Sequence, residues 1–353
     1  MWRRYPNFQR RMPEFRGVTS AHGIDSVAGM TDPGPVTDWL LGSDPSIRWQ
    51  VMRDLLDEPE PEWAAERARV ATEGWGARLL SYEDADGQWA GGAFAPRDFD
   101  FREWQEVGQP WTATAFSLSQ LREFGLDPGS GPARRAIELI GLNSRWDHAG
   151  ERYWAGEVEE CINGRTVADG AYFGADISSI ADRLVSERLD DGGWNCERAN
   201  GSVRSSFATT INVLEGLLEY ERSTGGTPET RQARKSGEEY LLERSLFRRL
   251  STGEPADEQF LSFLYPNRWR YDVLRALDYF WSAAALTGAA PDPRLAEPID
   301  HVRSRRMADG TWRLDWNLPG RVWFELDEGA GKPSRWVTLR AMRVLRWWDR
   351  RAS

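Results

Sequence analysis

Three stretches decide the reading of this chain: Asp86-Gly87-Gln88-Trp89, Asp191-Gly192-Gly193-Trp194 and Asp309-Gly310-Thr311-Trp312. Asp-Gly is a turn signal, because Gly tolerates positive φ and the Asp side chain bonds nearby backbone. Each copy ends a helical pattern, such as Ile180 to Leu189 or Ile299 to Met307, and a polar loop and another helix follow. A degenerate fourth copy is Asp147-His148-Ala149-Gly150, with Trp154-Ala155-Gly156 matching Trp89-Ala90-Gly91. A unit that recurs along a chain marks a repeat architecture.

The helices after these turns also share a way of starting. Pro45-Ser46-Ile47-Arg48-Trp49, Pro266-Asn267-Arg268-Trp269 and Lys332-Pro333-Ser334-Arg335-Trp336 each open one, with Pro110-Trp111 and Arg204-Ser205-Ser206-Phe207 as variants. Pro in the first turn and a small polar cap are ordinary helix-start chemistry. The helices that follow are strongly apolar: 111–124, 207–220, 271–286 and 336–348. Their partners, over 60–80, 132–142, 176–189, 229–247 and 293–307, are amphipathic. A helix apolar on most faces is buried, and one with a polar stripe lies outside. The alternation predicts an all-α fold: a single α/α toroid of about six helix hairpins, with inner and outer rings, over residues 36–353. Residues 1–35 are Arg-rich, broken by Pro and Gly, and read as a flexible tail.

Composition narrows the function. The chain of 353 residues carries 19 Trp, a net charge of −10 and only two Cys. An acidic chain lacks the basic footprint of a nucleic-acid binder. It also weighs against anchoring on anionic lipid, though peripheral membrane contact stays open. Few cysteines and no secretory leader point to a reduced, cytoplasmic setting. Oligomeric state cannot be read from the residues.

The three Asp-Gly-x-Trp turns resemble the QW motif of squalene-hopene cyclases, in the terpenoid cyclase and protein prenyltransferase superfamily. The resemblance runs over residues 36 to 353 and implies the toroid fold. The family's Gln falls here on Glu83, Arg188 and Arg306. The Asp-x-Asp-Asp acid of its protonating cyclases is absent, and Asp98-Phe99-Asp100-Phe101 is the nearest string. The prenyltransferases hold zinc with Asp, Cys and His. Here the histidines are His22, His148 and His301, and the spacing of Cys161 and Cys196 reads as two buried thiols. No metal and no cofactor are expected.

Parallel inner helices gather their starts at one end. That end carries Arg48, Arg165, Arg204, Arg268 and Arg335. Basic groups oppose the helix dipole there, so acids of the protein or an anionic ligand must offset them. Trp49, Trp111, Phe207, Trp269 and Trp336 lie at the same starts, as core or as cavity wall. The segment Tyr153 to Thr166 is the densest polar stretch and reads as a loop entering a helix. Its Glu157 and Glu159 are the leading acid/base candidates, with Asp272 as a third, and Tyr153, Trp154 and Asn163 join the substrate-binding set. A terpenoid cyclase-like enzyme is the first expectation, acting on an apolar small molecule with an anionic end. A uronic-acid hydrolase, lyase or epimerase using paired carboxylates, and a non-catalytic binding or scaffold toroid, are the alternatives.

Overall fold

The computed structural model describes residues 34–350, without the side chains of 103–105. The expected tail, except for its last two residues, lies outside the described residues. The helices are α1 (Pro35–Leu41), α2 (Pro45–Asp54), α3 (Glu60–Ala68), α4 (Gly74–Leu80), α5 (Trp104–Val107), α6 (Thr114–Phe124), α7 (Gly131–Asn143), α8 (Glu160–Phe173), α9 (Ser178–Ser186), α10 (Phe207–Thr224), α11 (Pro228–Leu242), α12 (Val273–Thr287), α13 (Ala296–Ser304) and α14 (Arg335–Asp349). Isolated bridges occur, but no named strand, among the described residues. The fold is all-α, as the patterning predicts. The predicted helix over 60–80 is interrupted by a 3₁₀ turn at Arg69–Ala71 and by Gly74 at φ 62°.

Contacts run α2–α6–α8–α10–α12–α14 and return from α14 to α2, so these helices close a circuit. The remaining long helices pack outside it: α3 and α4 on α2, α7 and α9 on α8, α11 on α10, and α13 on α12 and α14. Ring helices share their punctuation. Ser206, Asp272 and Ser334 cap the starts of α10, α12 and α14. Gly125, Gly174, Gly225 and Gly288 end α6, α8, α10 and α12 in left-handed geometry. That conformation costs a residue without Cβ nothing.

The Asp-Gly-x-Trp corners are built alike. The glycines at 87, 192 and 310 have φ of 86°, 99° and 85°. The indole N–H groups of Trp89, Trp194 and Trp312 donate to the carbonyls of Leu79, Leu184 and Val302 at 2.9, 2.7 and 2.8 Å, near the end of the preceding outer helix. Their main-chain N–H groups donate to Thr114, Thr210 and Thr338, in the first turn of the next ring helix, at 3.1, 3.1 and 2.9 Å. One buried ring thus joins two helices and satisfies otherwise stranded polar groups. The degenerate copy departs from this. Trp146 donates to Tyr153 O, and Trp154 lies against Gly141 and Gly170.

α8 and α10 approach most closely. A Cβ at Gly164 would lie 2.5 Å from Asn212 O, and one at Gly216 would lie 2.3 Å from Gly164 O. Only glycine permits backbones to meet at that distance.

Candidate functional site

Charge pairs join neighbouring helices of the ring. Arg122 and Ser119 of α6 bond Asp169 of α8 at 2.7 and 2.5 Å. Arg275 of α12 forks onto Glu215 of α10 at 2.7 and 2.6 Å and reaches Asn212 at 3.0 Å. Arg343 of α14 binds Asp278 at 2.5 Å and meets Asp54 and Gln50 of α2 at 3.2 and 3.0 Å. Arg340 of α14 reaches Glu123 of α6 at 3.6 Å. Buried charges persist when they are paired and hydrogen-bonded, as these are.

Most of the expected aromatics form core. The Trp49 indole donates to Phe124 O at 2.8 Å. Trp336 stacks on Tyr265 with centroids 4.4 Å apart. Phe207 packs with Tyr240, Phe260 and Tyr271. Tyr153 is fully buried between Trp146 and Trp154, and its hydroxyl has no partner.

The arginines expected around one mouth divide. Arg48 turns outward to Glu66 of α3 at 2.6 Å. Arg204 is exposed, and Arg335 lies over the Trp39 ring of α1 at 4.6 Å. These three are held by separate surroundings. Arg165 and Arg268 do meet. The Arg165 guanidinium donates to Arg268 O, and the Arg268 guanidinium sits over the Trp111 ring at 5.7 Å. Trp269 is beside them, with its indole donating to Gln109 at 3.2 Å.

The acid candidates hold backbone. Asp272 accepts Arg275 N at 2.7 Å, Asn267 Nδ2 at 2.6 Å and Leu264 N at 3.4 Å. Burial still outweighs these bonds and raises its carboxyl to about 6. Glu157 accepts Glu159 N at 2.8 Å. Asn163 binds the Glu157 main chain in both directions at 2.7 Å, so it positions a turn. α8 begins at Glu160, so Cys161 through Thr166 are helical rather than loop.

Arg165 and Arg268 are each more than nine-tenths buried. Neither makes an ion pair among the described residues, and Arg165 Nε has no hydrogen-bond partner. Burial lowers both, and with Arg165 nearby the Arg268 guanidinium falls to about 10. Arg268 has φ 54°, an unfavourable conformation for a side-chain-bearing residue. It borders a cavity of 70 Å³ walled by Trp111, Tyr265, Trp316, Phe324 and Asp327. Asp327 is raised by burial while it accepts Ser334 Oγ at 2.7 Å and Arg335 N at 3.2 Å.

The roof of this cavity escaped the sequence reading. It belongs to the chain between Trp312 and Ser334, which crosses to the start of α6. Trp111 donates from its indole to Pro319 O at 2.9 Å and from its main chain to Arg321 O at 2.8 Å. Trp323 stacks on Tyr82 at 4.4 Å. On the other side of Val322 lies an open cleft of 710 Å³ with Asp84, Asp86, Asp98 and Arg321. Those acids bond Gly91 N, the Gln88 amides and Arg321. The length of the strap was the available signal. More than twelve residues without regular structure inside a compact domain is uncommon and often functional.

No family profile matches the chain, and no curated protein matches it. Among solved structures, the chain is similar to the type II terpene cyclase MstE from Scytonema, in its apo form. The two share 14% identity over 81% of this chain and 98% of that one, with a TM-score of 0.34.

Proposed function

We propose that the protein takes a small molecule with an anionic group, a carboxylate or a phosphate, at the cavity beneath the strap. The observation that carries this reading is Arg268, a buried cation without an ion pair among the described residues, which lines a space of 70 Å³ and whose main-chain carbonyl holds the buried Arg165 guanidinium. An anion placed there offsets the Arg268 charge, and in a water-poor setting such hydrogen bonds are strong. The cavity holds several water-sized groups by the measure in which one needs about 10–15 Å³. It suits a headgroup and not a long chain.

The apolar body of the ligand would lie against Trp111, Trp316 and Phe324. An isoprenoid acid or prenyl phosphate has this division, so a terpenoid cyclase-like role is the finer form of the proposal. Asp327, with its raised carboxyl at the cavity wall, supplies an acid for proton transfer.

Calorimetric titration tests the reading with inorganic pyrophosphate, geranyl diphosphate and a prenyl carboxylic acid. Binding by the folded protein that weakens tenfold or more in Arg268→Ala supports it. Absence of binding by all three at millimolar concentration overturns it, as does equal affinity in the variant.

A further inference from the structure

We propose that Glu159, Cys161 and Cys196 form a binding site for a thiophilic divalent cation of the zinc class. One carboxylate oxygen and the two sulfurs lie within 4.8 Å of one another. Cys161 Sγ is 3.8 Å from Glu159 Oε2. A tetrahedral zinc with bonds of about 2.0–2.3 Å needs ligand atoms about 3.5 Å apart, so rotamer adjustments of roughly an ångström close the set. This observation is independent of the arginine pair and goes beyond the anion-binding proposal.

Three features favour a cation at this point. The donor set is two sulfurs and a carboxylate, the combination that zinc accepts in preference to calcium or magnesium. Cys196 Sγ already accepts hydrogen bonds from Cys161 N at 3.4 Å and from Thr209 Oγ1 at 3.3 Å. Such outer bonds orient a thiolate ligand and temper its charge. The surroundings are acidic as well. Glu157 holds the Glu159 main chain, and Glu160 follows in the first turn of α8. The nearby arginines are engaged, Arg198 with Glu160 and Glu187, and Arg183 with Glu187 and the carbonyls of Glu157 and Val158.

Both cysteines are partly exposed, which gives an ion a way in. Three protein ligands leave a fourth position for water, the arrangement of an open rather than a closed zinc site. Linear spacing conceals this set, because Cys161 and Cys196 stand 35 residues apart on different elements. Glu159 thus becomes a ligand in this proposal rather than the general acid expected from the sequence.

Cobalt(II) and zinc(II) titrations of reduced, chelator-treated protein test the site. The expected result is one equivalent of cobalt with thiolate-to-metal charge-transfer absorption, displaced by zinc. Glu159→Gln should weaken binding at least tenfold, and the Cys161→Ser/Cys196→Ser double variant should abolish the absorption. A variant-free measurement guards against misfolding: zinc should protect Cys161 and Cys196 from alkylation, read by mass spectrometry. Absence of charge-transfer absorption in the unmodified protein overturns the proposal. So does alkylation of both thiols at the same rate with and without zinc.

Discussion

The Arg165 guanidinium donates to the main-chain carbonyl of Arg268, which lies 103 residues away in the chain. The bond fixes one buried cation with the backbone of another, and the second, Arg268, borders the cavity beneath the strap. Two like charges in a desolvated position oppose folding; Asp169, Glu123 and Glu325 offset this in part, and a bound anion would offset it further.

That arrangement makes stability respond to anions. A ligand bound only by the folded state stabilises it by about 2.7 kcal/mol at a hundredfold excess over its Kd. Thermal unfolding of the protein should therefore shift upward with added pyrophosphate or prenyl carboxylate. Arg268→Ala should show little or no shift, and it should lose about 2 kcal/mol from the missing desolvated contact with Trp111.

The glycines between α8 and α10 give a steric prediction. In Gly216→Ala the new methyl would stand 2.3 Å from Gly164 O, a backbone atom that cannot turn aside. Overpacking of this kind costs about 1–3 kcal/mol. Urea unfolding should report that loss, and a midpoint equal to that of the parent protein would show that the two helices separate freely.

Each corner tryptophan bonds the preceding outer helix through its indole, so loss of the side chain exceeds that of a core ring alone. Trp194→Phe keeps most of the apolar volume but strands the Leu184 carbonyl, at about 1–3 kcal/mol. The same substitution at Trp89 or Trp312 should cost less, because Leu79 O and Val302 O keep a second donor in Tyr82 N and Arg305 N. Chemical denaturation of the three variants side by side checks this order of the corners.

Arg343 links three ring helices through Asp278, Asp54 and Gln50. Arg343→Met retains the aliphatic stem and removes one cation from each of two carboxylates, leaving Asp54 with Arg53 at 2.5 Å and Asp278 with Arg340 at 3.6 Å. Loss of one member of a buried pair costs about 3–5 kcal/mol. Cooperative unfolding at a much lower urea concentration is the expected outcome.

Asp272 adds a pH dependence. Its folded value of about 6 lies above the ordinary 3.8, because burial disfavours the charged form. The native state therefore binds the proton more tightly than the unfolded chain. This contribution is present in full below about pH 4 and is lost as pH rises through 6, about 3 kcal/mol over the two-unit shift. Asp272→Asn removes the titration. The stability of the parent relative to this variant should shrink between pH 4 and 7, and a constant difference would refute the assignment.

The amino-acid sequence by itself determined the local structure. Asp-Gly turns, Ser and Asp caps, terminal glycines and helical periodicity act over a few residues, and they located the ring helices and the three Trp corners. Trp89, Trp194 and Trp312 were legible as a repeat because the same short-range chemistry recurs. Tertiary structure alone decided the site. Arg48 and Arg165 occupy similar places in the sequence pattern, yet helix phase turns one outward to Glu66 and the other inward to Arg268. Glu123 and Arg340 meet only because the helices close into a circuit. Glu159, Cys161 and Cys196 converge for the same reason, since which side chains share a space depends on which helices become neighbours.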